Sequence, residues 1–324
     1  MKLARYKSGS GIEQLGVVVG GEAHERLLNV AKAAGGSGRK LPETMTALIA
    51  SGDRGLDELK QLQHWSASRA DATWFDSLDA VEWLTPVPAR SCIAAGRNFG
   101  RHLEESRRGH AAATGSQTDF QTEFPTGFIK LGRALVPHKA VVARPREVLK
   151  FDYEVEIAVV VGKDLDDVGI QEARKSIFGY TVFNDLSARE WQFKEMQNKL
   201  VMIGKNFPGF GPVGPYILTA DEVPDPARLT LWLNVNGEQR QHSDCSDLIF
   251  GFDEMVSFWS RVGLQAGDLI SCGTPDGVAV HRKPDPAPFY LKPGDIVHAG
   301  VDQIGVLETR IVESASVARK TLHA

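Results

Sequence analysis

Between Phe151 and Asp164 the chain reads FDYEVEIAVVVGKD. The second half is the most apolar short run in the middle of the chain, yet the first half carries Asp152, Glu154 and Glu156. On a strand, successive side chains point to opposite faces. Tyr153, Val155, Ile157, Val159 and Val161 then form a wholly apolar face. Asp152, Glu154, Glu156, Ala158 and Val160 form the other, which turns from acidic to apolar along its length. Such a segment fits a fold in which a buried strand runs out of a core into a polar pocket. Glu154 and Glu156 would stand roughly 6 to 7 Å apart. Carboxylates that close at the edge of a core are unfavourable unless something positive lies between them. Three resolutions are open: the acids are solvated at an exposed edge, they pair with Lys or Arg, or they hold a divalent metal.

A third carboxylate bears on that choice. In FGYTVFNDLSAREWQFKEMQ, the strand run YTVFN ends at Asp185, just before a helix. Ser187 and Glu190 fit the S-x-x-E capping box, which leaves Asp185 free of a capping role. A crossover containing a helix at 170–177 is long enough to bring this strand beside the acidic one. Three carboxylates from two strand ends make an all-oxygen site, suited to Mg²⁺, Mn²⁺ or Ca²⁺ and not to Zn²⁺. Three protein ligands also leave positions for water and substrate.

Other segments carry groups that such a site would use. GRNFGRHLEES places His102 and Glu105 three apart on a helix, where a carboxylate can orient an imidazole as a base. Arg189 and Gln192 are likewise three apart, and an Arg there could grip a substrate carboxylate. Lys205 lies in MIGKNFPGFGPVGP and could meet a developing oxyanion. Each also has a plain reading, as a surface helix pair or a loop lysine. Thr274 sits in the glycine turn CGTPDG. The formal G-x-G-x-x-G at 209–214 is no dinucleotide loop, because Pro212 and Pro215 remove backbone N–H groups and no helix follows.

The rest of the chain frames these residues. Residues 1–85 read as a small α/β unit, with QLGVVVGG a strand and PETMTALIASGD and LDELKQLQHWSAS helical; Leu56, Leu59 and Leu62 share a face. LTPVPARS is the expected linker. From 90 to 314 short strands dominate, with helices around 102–108, 170–177, 187–199 and 252–262, which argues for a β-rich α+β domain. Leu229, Leu231, Leu233 and Val235 alternate up to Asn236-Gly237, a hairpin signal. GHAAATGSQTDFQ (109–121) reads as a loop or lid, and 315–324 as a loose tail. A net charge of −4 gives no footing for nucleic acid. Cys92, Cys245 and Cys272 are too scattered for a metal or disulfide framework and read as reduced thiols. No run is long and apolar enough for a membrane span, and the N-terminus has no apolar signal region. A cytoplasmic location is expected.

Taken in order, AAGRNFGRHLEE, FDYEVEIAVVVGKD, FGYTVFNDLSAREWQ, GKNFPGFGPVGP, VNGEQRQ, GDLISCGTPDGV and LKPGDIV…QIGVLETRIV resemble the fumarylacetoacetate hydrolase family over about 90–312. The resemblance implies a β-rich roll of packed sheets behind a small N-terminal domain, and a homodimer. It implies Glu154, Glu156 and Asp185 as ligands of Mg²⁺ or Mn²⁺, His102 with Glu105 as the dyad that activates water, and Arg189, Gln192, Lys205 and Thr274 at substrate-binding positions. Ala95 stands where the tyrosine-pathway enzymes have a further ligand Asp, which favours the broader bacterial branch. The activity expected first is hydrolysis of a carbon–carbon bond in an acylpyruvate-type 2,4-dioxo acid. A decarboxylase or isomerase of a 2-oxo dicarboxylic acid on the same site is the alternative. A non-catalytic protein stapled by Ca²⁺ or Mg²⁺ is the rival from another class.

Overall fold

The computed structural model describes residues 1–9, 11–21, 25–69, 71–114 and 123–314. The expected tail and the 115–121 part of the expected loop lie outside the described residues. The 109–114 part is not loop: it completes a helix, Gly100–Thr114.

The acidic strand runs from Val155 to Val161, every residue buried. Its antiparallel neighbour is Ile177–Asn184, with Val155 opposite Asn184 and Glu156 opposite Phe183. The expected crossover would have made the two strands parallel. The helix Ile170–Lys175 lies instead in an up-and-back connection. On the far side of the acidic strand lies the short strand Leu269–Ser271, then Ser91–Gly96 and Thr126–Leu131. Beyond Ile177–Asn184 come Gly211–Thr219 and then Lys2–Lys7, which pairs Leu3 with Ile217. The strands of residues 1–85 therefore share one large sheet with those of the C-terminal part of the chain.

The two faces of the acidic strand enter different cores. Tyr153, Val155, Ile157, Val159 and Val161 pack with Leu231, Leu233, Val297, Ala299 and Leu307. The last five belong to a second sheet, in the order Glu238–Asp244, Thr230–Val235, Ile296–Val301, Gly305–Glu313 and Ala140–Arg144. Ala158 and Val160 join Leu48, Ile49, Leu59 and Leu62 of the helix Met45–Ala67. The result is sheet on sheet with helices behind: a mixed, β-rich α+β roll, as the alternation of the strand requires. Thr230–Val235 alternates as read, and Asn236 (φ 52°) and Gly237 (φ 84°) make its hairpin turn in the left-handed region. Met45–Ala67 joins both helical patterns across a kink at Gly52, whose φ of 58° only glycine adopts freely.

Candidate active site

Where the acidic strand leaves the sheet, the chain breaks its ladder at Tyr153 and Glu154 and makes a two-residue pairing, Phe151–Asp152 with Ser187–Ala188. The Asp185 N–H donates to Glu154 O at 2.8 Å, and the Glu154 N–H to Asn184 Oδ1 at 3.1 Å. These bonds set Asp185 beside the two glutamates. One oxygen from each of Glu154, Glu156 and Asp185 lies within 4.8 Å of the others, and all three residues are buried. Solvation, the first resolution offered for these acids, is therefore excluded.

Pairing is present instead. Lys205 Nζ donates to Glu154 Oε2 and to Asp185 Oδ2, both at 2.6 Å. Lys130 Nζ donates to Asp185 Oδ1 at 2.6 Å and to the carbonyls of Phe210 and Leu186. Arg189 Nη2 lies 2.6 Å from Glu154 Oε1, and its Nε donates to Asp152 Oδ2 at 2.8 Å. Burial alone would raise the Glu154 carboxyl; the charges of Lys205, Arg189 and His102 outweigh it and hold the group well below the usual carboxylate range. Burial would also lower Lys205, but Asp185 and Glu154 keep its ammonium above the usual value. Lys130 is lowered, because burial outweighs Asp185.

Glu156 is the exception. Burial, then the charges of Asp185 and Glu154, push its carboxyl well above the ordinary range. Its Oε2 is buried with no hydrogen-bond partner. The hydroxyls of Thr181 and Ser271, in register with Ala158 on the two neighbouring strands, are buried without a closed hydrogen bond, although the Ser271 hydroxyl comes near enough to Glu156 to offset a little of that push. Three carboxylate oxygens converge, and Lys205 offsets only part of the repulsion at Glu156. A hard divalent cation fits that donor set, so the residues present are compatible with the group.

The helix Gly100–Thr114 faces this cleft. His102 Nδ1 is 3.4 Å from Glu105 Oε2, a contact looser than a closed hydrogen bond. The Gly277 N–H reaches both Glu105 oxygens at 3.4 and 3.3 Å. Burial would raise Glu105, but the close contact and charge of His102, with the His281 charge and the Gly277 N–H behind it, bring it below its ordinary value.

The other expected residues are close but committed. Arg189 bonds Asp152, Glu154 and Gln192, whose Oε1 accepts at 2.8 Å. Thr274 Oγ1 donates to Val155 O and accepts from Gln241 Nε2, both at 2.9 Å. Ser187 does not cap the following helix. Its hydroxyl donates to Asp185 O, and Glu190 accepts from the N–H groups of Leu149 and Lys150. Asp152, expected to be solvated or just outside the ligands, is fully buried, bonded to Arg189 and to the N–H groups of Ala279 and Val280. Sequence reasoning passed over Lys130. Its signal was there: a lone Lys in TGFIKL, opposite Cys92 on an inward register position. It also passed over Gln241, whose Oε1 accepts from Val155 N–H at 2.9 Å. Among the described residues no helix is long and apolar enough to cross a membrane.

Several known proteins are similar to this chain. Oxaloacetate tautomerase YisK of Bacillus subtilis is 33% identical over 277 residues, 84% of this chain and 87% of that protein. The mitochondrial oxaloacetate tautomerase FAHD2A of Bos taurus is 33% identical over 276 residues, 84% of this chain and 81% of that protein. Among solved structures, a 5-carboxymethyl-2-hydroxymuconate delta-isomerase from Mycobacterium smegmatis superposes with a TM-score of 0.70 at 25% identity, covering 98% of this chain and 100% of that one. A fumarylacetoacetate hydrolase from Exiguobacterium antarcticum gives 0.73 at 26% identity, covering 97% and 100%. The C-terminal domain model of fumarylacetoacetate hydrolase matches residues 91–312, and with it the chain belongs to the fumarylacetoacetate hydrolase family of enzymes.

Proposed function

We propose that the protein is a tautomerase or isomerase of a 2-oxo dicarboxylic acid of the oxaloacetate type, dependent on Mg²⁺ or Mn²⁺. The observation that carries the reading is three converging buried carboxylates with the His102–Glu105 pair near enough for the His102 charge to act on Glu154. The similar proteins include two oxaloacetate tautomerases and an isomerase. They favour the isomerase alternative over carbon–carbon hydrolysis, although one structural neighbour is a hydrolase.

Glu154, Glu156 and Asp185 would hold the cation, which when bound supplies Lewis-acid polarisation of the 2-oxo group. His102 acts as base. Glu105 occupies the Nδ1 side of its ring, so Nε2 takes the proton from C3 of the substrate. The C3–H bond breaks, the C2–C3 double bond forms, and the proton returns to the 2-oxygen, so that keto and enol differ by one proton shift. No water is consumed. Lys205 spends two of its three N–H donors on Glu154 and Asp185; its third would face the developing oxyanion. Arg189, Gln192 and Thr274 remain proposed substrate neighbours. Their donors are shared with the protein, so they act by fixing Glu154 and the Val155 backbone as well as by touching substrate.

The test is to follow the enol absorbance of oxaloacetate with purified protein and Mg²⁺ or Mn²⁺ while assaying pyruvate and CO₂ separately. Faster keto–enol exchange without pyruvate supports the reading. Pyruvate with CO₂ from oxaloacetate would make it a decarboxylase, and pyruvate from an acylpyruvate without CO₂ a hydrolase.

A further inference from the structure

One titratable group at the mouth of the cleft has no part in the mechanism above. His281 ends the short 3-10 turn Ala279–His281. That turn is pinned from below, since the Ala279 and Val280 N–H groups donate to Asp152 at 2.8 and 3.0 Å. Asp152 is in turn held by Arg189. The imidazole therefore stands on the same buried framework that positions Glu154.

Above it lies the helix Gly100–Thr114. His102, Glu105, Ser106 and Gly109 fall at spacings of three, four and seven, one face of a helix. Every one of them meets the 277–281 segment or its ring. Glu105 accepts from Gly277 N–H. His281 Nε2 is 3.3 Å from Ser106 Oγ. The His102 and His281 ring centroids are 5.9 Å apart. A Cβ on Gly109 would come within 2.9 Å of His281 Nδ1, so only glycine lets the helix lie this close to the ring.

We propose that His281 is a positioning residue for the His102–Glu105 pair: with Ser106 and Gly109 it seats the Gly100–Thr114 helix on the 277–281 segment so that His102 faces the acids. The inference rests on the reading of His102 as the base. His281 acts through Ser106 and the helix and touches no reacting atom. The titratable and charged groups that face it are Glu105, His102, Arg189 and Asp152. Burial, with the neighbouring His102 and Arg189 charges, lowers its pKa to about 4 against the pull of Glu105 and Asp152. The ring thus stays neutral near pH 7, where a neutral Nε2 can accept from the Ser106 hydroxyl.

Three single variants test it. His281→Leu keeps bulk and removes both ring nitrogens, His281→Gln keeps a polar partner for Ser106, and Ser106→Ala removes the hydroxyl. The first readout is the titration of the His102 ring by NMR, which needs no substrate. His281→Leu and Ser106→Ala are expected to move its midpoint in the same direction, and His281→Gln to restore it. The second readout is keto–enol exchange of oxaloacetate: kcat should fall about tenfold to a hundredfold in both with KM nearly unchanged. The Leu/Ala double variant should be no worse than the worse single, because both remove one contact. An unchanged His102 titration in His281→Leu, with a lowered melting temperature only, would overturn the proposal. So would losses that add in the double variant. His102→Ala separates the two readings. If it exchanges oxaloacetate at the parent rate, the base assignment fails, while the NMR titration still decides whether His281 positions the ring.

Discussion

Lys7 and Glu82 meet at 2.6 Å on the rim of the N-terminal strands, with 35% and 65% of their side chains exposed. Lys205 and Asp185 meet at the same 2.6 Å with 2% and 1% exposed. The geometry matches but the energetics differ. An exposed pair trades one hydrated state for another and contributes roughly 0–1 kcal/mol. A buried pair loses hydration at both ends, and well-packed apolar residues of similar volume would often be as stable or more so. The cleft carries Lys130, Lys205 and Arg189 against Asp152, Glu154, Glu156 and Asp185, all buried. A chain selected only to stay folded would have little use for such a cluster, whereas one that must bind a cation and an anionic substrate needs it. The N-terminal pairs ask for no such explanation.

The comparison is tested hardest at the two ends of the cleft. His102→Ala should lower turnover by about 10²–10⁴-fold, the usual worth of a positioned base, and leave calorimetric titration of the metal-free protein with Mn²⁺ unchanged. Glu154→Gln should weaken that titration. A Glu154→Gln protein that binds Mn²⁺ like the parent would remove the ligand assignment and leave the cluster to be explained as structure. Next in size is Lys130→Met. It strips one cation from Asp185, a pair in which both side chains are buried, and it should cost on the order of 3–5 kcal/mol of unfolding free energy, as breaking a buried pair does. The urea midpoint measures it. A loss under about 1 kcal/mol, the range of exposed pairs, would place Lys130 with the N-terminal pairs and break the contrast.

Protons probe both regions at once. His138 lies at the edge of the N-terminal unit, edge-on to Trp83, and accepts from the Glu308 N–H. Burial and the Lys139 charge lower its pKa to about 4, as burial and nearby cations do for His281. Each group is depressed relative to its unfolded value of about 6.5. Between those values the unfolded chain binds more protons, so stability falls as pH drops from about 6.5 toward 4. The slope is at most about 1.4 kcal/mol per pH unit for each histidine. The raised Glu156 carboxyl acts in the opposite sense as pH falls, so the readout is the difference between proteins: urea midpoints from pH 7 to 5 should decline less, or rise more, in His138→Phe than in the parent, and equal pH slopes in the two would refute the His138 shift.

Much of this contrast was legible in the chain. The period-2 split of Tyr153–Val161 assigned both cores, and EVE with Asp185 assembled the acid triad, because those signals are local. Lys130 and Gln241 were harder. Each reaches the site from a distant strand, and a single Lys or Gln on an alternating strand looks like solvent-facing polarity until its register is fixed. Ser187 misled for the opposite reason: S-x-x-E is a local rule, and tertiary pairing of Ser187–Ala188 with Phe151–Asp152 overrode it. The same pairing drew Glu190 to Leu149 and Lys150. The direction of Ile177–Asn184 was also beyond local reach, since a helical connector permits either sense.

The smallest expected effect guards the contrast from the other side. Lys7→Ala removes the charge that meets Glu82 but leaves Glu82 in water, and the strand Lys2–Lys7 keeps its ladder to Glu13–Val19. The Glu82 carboxylate regains hydration when its partner goes, so no unpaired buried charge is created. The urea midpoint should correspond to a loss within about 1 kcal/mol, shrinking further in 1 M salt, where exposed charges are screened beyond about 3 Å. Lys130→Met under the same salt should keep its full effect, because the Lys130–Asp185 pair is buried and is screened far less than an exposed one. If salt erased both losses alike, Lys130 and Asp185 would have to be open to water, and burial could no longer be the reason that the cleft's charges differ from those on the rim.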